Sequence, residues 1–325
     1  IFLPTDRVPL GSKVSGLRQV KKLYAREYRK HYAPKLRELR ESYKGTDRCF
    51  IIGNGPSLNA TDLSLLRDEV TFATNGFFLK ANALGWTPTF YVVEDHLVAE
   101  DRKAEIAALR GSTKLFPIYL AYCCQQDDET IFFNHRPRVS YPEAFDFSSD
   151  ASKVTYAGCT VTYTCMQLAV YMGFKEIILV GVDADYDIPS DVTTKAEYGV
   201  EILDMGSDDP NHFDPDYFGK GYRWHDPQVD KMMDAYETAR RALQASNQSI
   251  VNATVGGKLE VFPRKAYESL FPSLSDSEAG TNSTPKAVGL QSDQVPSRYP
   301  RVLLIDISKV GDFSATGQLK RNMFD

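Results

Sequence analysis

Three scarcities narrow the field before any motif is weighed. The 325 residues include five cysteines, an odd number, with no Cys-x-x-Cys spacing. That pattern argues against a disulfide-stapled scaffold or a zinc ribbon and fits a reducing cytoplasm. The adjacent Cys123-Cys124 pair reads as buried packing rather than chemistry. No apolar run approaches the roughly 20 residues that a membrane-spanning helix needs. The opening residues, IFLPTDRVPLGSK, do not follow the basic, apolar and small-residue order of a signal peptide. Positive charge is in deficit, since 38 Lys and Arg face 43 Asp and Glu for a net charge of −5. A chain with this balance is not built to hold nucleic acid through phosphate contacts. A nucleotide ligand stays open, because local dipoles rather than bulk charge recognise it.

What is present is 42% hydrophobic content, enough for one large core or two smaller ones. Residues 1–46 are expected to form an N-terminal helical extension. Within it, 15–45 make an amphipathic basic segment whose charged face is either solvated or laid against an anionic membrane surface. From Cys49 onward, short apolar runs alternate with helical patterns. Strands are expected at 48–52, 70–74, 89–93, 114–118, 176–182 and 249–253, and helices at 61–68, 97–109, 160–172 and 227–246. Continuous apolar strands between helices predict an α/β, Rossmann-like parallel sheet with helices on both faces, spanning 47–271. Residues 272–299 are rich in Ser, Pro and Gly and have no period, the composition of a linker. Residues 300–325 then read as the start of a truncated second α/β domain, so a further domain after residue 325 is expected.

Sheets of this kind bind ligands at the carboxyl ends of their strands, so the residues just after each strand matter most. The first strand runs into Gly53-Asn54-Gly55-Pro56-Ser57. With Asn59 or Thr61 capping a following helix, this turn would offer open backbone N–H groups beside a positive helix end, as a phosphate requires. An ordinary tight turn is the plainer alternative. The second strand ends in Asn75, whose amide suits a base, a ribose, a phosphate or its own loop. The third ends in Glu94-Asp95-His96, where carboxylates fit sugar hydroxyls, a metal or a helix cap. Thr160, Thr162 and Thr164, close after Gly158, place short donors at the start of an apolar helix. The strand EIILVGV ends in Asp183-Ala184-Asp185-Tyr186, an Asp-x-Asp suited to a metal, to sugar hydroxyls or to ordering a loop. Residues 210–229 form a long irregular connection, the kind of segment that binds ligands. It carries His212 and His225 as candidate general bases, Lys220 and Arg223 as cations for phosphate, and Tyr217 and Tyr222 as donors.

Assembled, GNGPSL, the strand ending in Asn75, the hydroxyl segment before MGFKEIILVGVD and a late His before a helix resemble the bacterial sialyltransferases that use CMP-sialic acid. The run GCTVTY to QLAVYMGFKEIILVGVDADY is similar to a broader bacterial group. That group includes motility-associated flagellin glycosyltransferases and proteins labelled after archaeal 6-hydroxymethylpterin diphosphokinase. The resemblance covers residues 48–260 and implies a sialyltransferase-like GT-A variant of the fold. It implies that Asn54, Gly55 and Ser57, with Gly53 and Pro56 shaping the turn, meet the CMP phosphate or ribose. Asn75 and Asp183 would complete the nucleotide site. His225 would take the acceptor hydroxyl proton in an inverting attack, with His212 the second candidate. Asp95, Thr160, Thr162, Asp185, Tyr186, Tyr222 and Arg223 are left for sugar and phosphate. Such a transfer requires no cofactor, because CMP leaves as a monophosphate that tyrosine hydroxyls can stabilise. The family's Thr-Ser-Gly stands here as Thr160-Val161-Thr162, and Asp185 precedes Tyr186 where the family has its tyrosine. The donor class therefore widens to sialic acid, another nonulosonic acid or 3-deoxy-octulosonic acid.

The expectation is a cytoplasmic, bacterial glycosyltransferase of polysaccharide biosynthesis or flagellin modification, either free or at the inner face of the membrane. Its partners would be a CMP-sugar donor and a glycan or protein acceptor, with no nucleic acid. Two alternatives belong to other classes. One is an ATP- and Mg²⁺-dependent hydroxymethylpterin diphosphokinase with Asp183, Asp185 and Asp95 as ligands. The other is a degenerate, non-catalytic nucleotide-binding module.

Overall fold

A computed structural model describes residues 26, 28–136, 144–188, 192–197 and 200–271. The expected linker at 272–299, the second domain at 300–325 and most of the N-terminal extension lie outside these residues. One compact unit, Glu27–Phe271, carries the elements below.

Strand β1, Arg48–Ile52, lies inside the main sheet, and Cys49, Phe50, Ile51 and Ile52 are wholly buried. A strand buried at consecutive positions is covered on both faces, which is why its sequence is continuously apolar. Strands β2 (Thr71–Thr74), β3 (Phe90–Val92), β4 (Thr113–Pro117) and β5 (Thr130–Phe133) follow side by side, all parallel. β6 (His135–Arg136) and β7 (Thr155–Tyr156) form a separate short parallel ladder. The chain then returns to the other side of β1 with β8 (Glu176–Val180). β9 (Thr193–Glu197), β10 (Val200–Asp204) and β11 (Arg223–His225) form a small antiparallel sheet, and β12 (Ser249–Asn252) pairs outside β8. The main sheet is therefore seven-stranded and parallel, in the order β12-β8-β1-β2-β3-β4-β5, with helices around it, a Rossmann-like α/β architecture.

The helices are α1 (Ala33–Ser42), α2 (Phe78–Leu84), α3 (His96–Asp101), α4 (Lys103–Ala108), α5 (Val161–Met172) and α6 (Val229–Leu243). α5 is the central one, buried from Thr162 to Met172. Thr160 caps it, accepting a hydrogen bond from the Thr162 N–H at 3.3 Å, and Gly173 ends it in the left-handed conformation. Gln167, wholly buried, anchors its middle: Oε1 accepts from the Ser148 and Tyr156 N–H groups, and Nε2 donates to the Tyr156 and Tyr163 carbonyls. α6 buries Met232, Ala235, Tyr236, Ala239 and Leu243, a stripe at helical spacing. Ahead of α1, Tyr28 donates to the Ser152 carbonyl at 2.8 Å and Tyr32 packs edge-on to Phe132, so the described part of the basic segment lies on the main unit. No helix among the described residues is long and apolar enough to cross a membrane.

Two expected helices differ, and one strand of the main sheet was not expected. No α-helix occupies 61–68; two 3₁₀ turns, Pro56–Ala60 and Leu63–Leu66, stand there instead. Thr61 between them is extended, and Asp62 spends its side chain on the Ser64 N–H, which closes a local turn. The helix expected at 97–109 breaks at Arg102. Its buried guanidinium donates to the Asp216 and Tyr217 carbonyls and lies 3.5 Å from the Tyr222 ring centroid. β5 was not expected, because its TIFF run is only four residues long and follows a polar QQDDE stretch.

Candidate functional site

Successive strands run outward from β1 to β5 and then return to β8, so the strand order reverses between β1 and β8. A crevice outside the carboxyl ends at such a reversal is where open α/β sheets take ligands. Here the two strand-end loops interlock. The Gly53 N–H donates to the Val180 carbonyl at 2.8 Å, and the Gly55 N–H to the Gly181 carbonyl at 2.9 Å. A Cβ on Gly53 would collide with the Gly181 carbonyl, and one on Gly55 with the Asp183 carboxylate. The glycines thus permit two protein loops to cross.

The open phosphate cradle expected at GNGPS is not preformed. The Ser57 N–H donates to Asp183 Oδ2 at 2.9 Å, and the Ser57 hydroxyl to Asp183 Oδ1. A carboxylate of the chain already holds donors that a phosphate would use, and no α-helix end adds its dipole. Asp185 is paired with Lys258 at 2.7 Å. A Mg²⁺ ion held by Asp183 and Asp185 would compete with both sets of bonds.

Beside the interlock lies a shallow cleft that opens to solvent. Its walls bring together Gly53, Gly55, Thr160, Thr162, Asp183, Asp185, Tyr186 and His212 from the expected set. They add Asn211, Met232 and Tyr236, which the sequence did not single out. Asn211 lay inside the flagged loop, whereas Met232 and Tyr236 carry the spacing of an ordinary buried helix face. Burial pushes the Tyr186 hydroxyl up to about 12, with Asp183 and Asp209 adding to it, so the group stays a hydrogen-bond donor at neutral pH. His212 Nδ1 lies 2.6 Å from Oδ2 of buried Asp209, and its ring stacks on Tyr217 at 4.0 Å. The loop carrying it is tied to the glycine turn, since the Phe213 N–H donates to the Asn54 carbonyl at 2.9 Å.

Asn54 lies inside the glycine turn and reaches Thr74, the residue before Asn75, although neither asparagine lines the cleft. Asn54 Nδ2 donates to Thr74, yet Asn54 Oδ1 and Asn75 Oδ1 are both buried with no protein donor. Buried acceptors left open are costly, and a ligand N–H or O–H would satisfy them. Among the described residues, four other than glycine have positive φ: Asn75, Cys159, Ala184 and Gln228. Cys159 directly precedes Thr160, and Ala184 lines the cleft. Backbone strain of this kind gathers at functional sites.

A second constellation forms at the end of β3. His225 Nδ1 lies 3.0 Å from Asp95 Oδ2, while Asp95 Oδ1 caps α3 by accepting from the Leu97 N–H at 2.8 Å. Burial pushes the Asp95 carboxyl up, but the charge and hydrogen bond of His225, helped by His96 and the cap, outweigh it and hold the group below the usual carboxylate range. Next in sequence, Glu94 accepts from the Thr164 hydroxyl at 2.6 Å and lies 3.2 Å from His135 Nε2. Thr164 belongs to the first turn of α5, the same turn whose Thr160 and Thr162 line the cleft. Glu94, the residue before Asp95, and the cleft therefore border one helix turn.

His225 stands on a strand, not in the irregular loop expected before α6, and Ile202 opposite it in β10 fixes its register. The sequence named both Asp95 and His225 but not their pairing across 130 positions. Tyr222 and Arg223 are not brought to the cleft. Tyr222 lies under Arg102, and Arg223 is committed to Asp101 at 2.5 Å and Glu100 at 3.2 Å.

A family model described as 6-hydroxymethylpterin diphosphokinase MptE-like matches residues 22–189, just over half of the chain. Among solved structures, the chain is similar to a Maf glycosyltransferase from Magnetospirillum magneticum AMB-1, at 16% identity and a TM-score of 0.42. That match covers 78% of this chain but only 40% of the other, so the chain spans about two fifths of that protein's length. No curated protein matches the chain.

Proposed function

The chain belongs to the 6-hydroxymethylpterin diphosphokinase MptE-like family, and from that premise we propose that it is a glycosyltransferase moving an acidic sugar from a CMP-activated donor to a glycan or protein acceptor. The observation that carries this reading is the His225–Asp95 pair at the end of β3. A carboxylate on Nδ1 fixes the imidazole tautomer and leaves Nε2 as the basic nitrogen. Placed against an acceptor hydroxyl, that nitrogen takes its proton as the oxygen attacks the anomeric carbon, while the donor lies in the neighbouring cleft. Tyr186, kept protonated by burial, would donate a hydrogen bond to the departing phosphate. The unpaired, buried oxygens of Asn54 and Asn75 would accept from the nucleotide if its binding opens the turn between them. Sialic acid, another nonulosonic acid and 3-deoxy-octulosonic acid all fit as the sugar transferred.

The bonds of Asp183 favour CMP over ATP. A carboxylate seated on Ser57 repels a polyphosphate placed at the glycine turn more strongly than a single phosphate beside it. The family description supports the second reading, Mg²⁺- and ATP-dependent diphosphoryl transfer to a pterin. Calorimetric titration with CMP in EDTA, and separately with ATP and Mg²⁺, decides between them. Binding of CMP that is indifferent to EDTA is expected. Binding of Mg²⁺-ATP alone would replace the proposal with the kinase reading.

A further inference from the structure

The Asp95–His225 pair has a third member that proton transfer does not use. His96, the first residue of α3, lies with its ring centroid 5.1 Å from that of His225. One ligand atom from each of Asp95, His96 and His225 falls within 4.8 Å of the others, the one group of three such residues among those described. Two imidazoles and a carboxylate are the donors of a borderline transition metal rather than Mg²⁺, which takes oxygen. Around a tetrahedral ion with bonds of about 2.0–2.2 Å, donor atoms stand about 3.3 Å apart. The Asp95–His225 edge is already at 3.0 Å, and the other two lie within 4.8 Å, so His96 must draw in by up to about 1.5 Å to complete the set. Asp95 and His225 are 21% and 28% exposed, which leaves an entry path and room for water or substrate on the ion.

We propose that Asp95, His96 and His225 bind a zinc-class divalent metal, and that the ion silences the site. A neutral imidazole has one basic nitrogen. A metal on either ring nitrogen of His225 uses that lone pair and leaves only an N–H donor on the other. The metal-bound and proton-accepting states of His225 therefore exclude one another. The binding stands on geometry alone; the silencing rests on the glycosyl-transfer reading.

The test separates the two. Zn²⁺ and Co²⁺ are titrated into the chain and into His96→Gln and Asp95→Asn, with Co²⁺ read by its visible absorption and folding checked by thermal melting. Asp95→Asn keeps an acceptor for the α3 cap, so a folded variant is expected. The proposal requires one ion per chain and at least tenfold weaker binding in each variant. No stoichiometric binding, or equal affinity in His96→Gln, would overturn the site. In turnover assays Zn²⁺ must inhibit the wild type while His96→Gln stays active and resistant. Zn²⁺-indifferent turnover by a wild type shown to bind the ion would overturn the silencing. A chain that binds the ion but turns over no CMP-sugar would remove the glycosyl-transfer reading, and the silencing with it, while leaving the site intact.

Discussion

Gly55 lies against the Asp183 carboxylate so closely that a single added methyl would overlap it, while the same carboxylate binds the Ser57 N–H and hydroxyl. The glycine turn and the end of β8 are thus one locked unit at the strand-order reversal. Gly55→Ala should destabilise by about 1–3 kcal/mol through overpacking. Asp183→Ala should cost about 1–3 kcal/mol by stranding the Ser57 donors. Because both act on one contact, the double variant should be less destabilised than the sum, by at least about 0.5 kcal/mol. Denaturant unfolding of the four proteins checks this, and strict additivity would count against the lock.

Acid sensitivity should arise at the start of β4. Lys114 is 2% exposed and its ammonium lies 2.6 Å from Asp127. Burial raises the Asp127 carboxyl, but the bonds from Lys114 and Thr130 outweigh it and hold it below its usual range. A carboxyl lowered in the fold takes up its proton more readily when unfolded. Its stabilisation is therefore complete above the ordinary value of ~3.9 and is lost as pH falls through the lower folded value. Asp127→Asn should melt lower than the wild type at neutral pH and show a shallower decline below about pH 4. Parallel curves would exclude the pair as a source of the acid slope.

Much of this fold was legible because the strands are continuously apolar. Cys49–Ile52 and Glu176–Val180 read as buried parallel strands, and the helix expected at 160–172 stands at Val161–Met172. Less legible were elements set by distant partners. The 3₁₀ turns after Gly55 follow from the capping choice of Asp62, and the break at Arg102 from carbonyls more than 100 positions away. The same held at the site. Glycines beside a strand signal close backbone approach, but only the fold reveals that Gly181 and Asp183 make the approach. Asp209, which holds His212, gave no signal within an acidic SDDP run, and Tyr236 was indistinguishable from core.

The Asp95 carboxylate should matter for the chemical step more than for binding. Asp95→Asn keeps a cap acceptor for the Leu97 N–H but removes the charge facing His225. Its kcat should fall by about 10²-fold or more, with the KM for donor changing little. A rise in KM at unchanged kcat would make Asp95 a binding residue and remove its role in orienting the base.

The most direct measurement is CMP release from a panel of CMP-activated acidic sugars by the wild type and His225→Ala, with folding verified by melting. The account predicts turnover of at least one donor by the wild type and a loss of roughly 10²–10⁴-fold in the variant. Equal turnover by the two proteins would contradict His225 as the base, and no CMP release from any donor would contradict the glycosyltransferase reading itself.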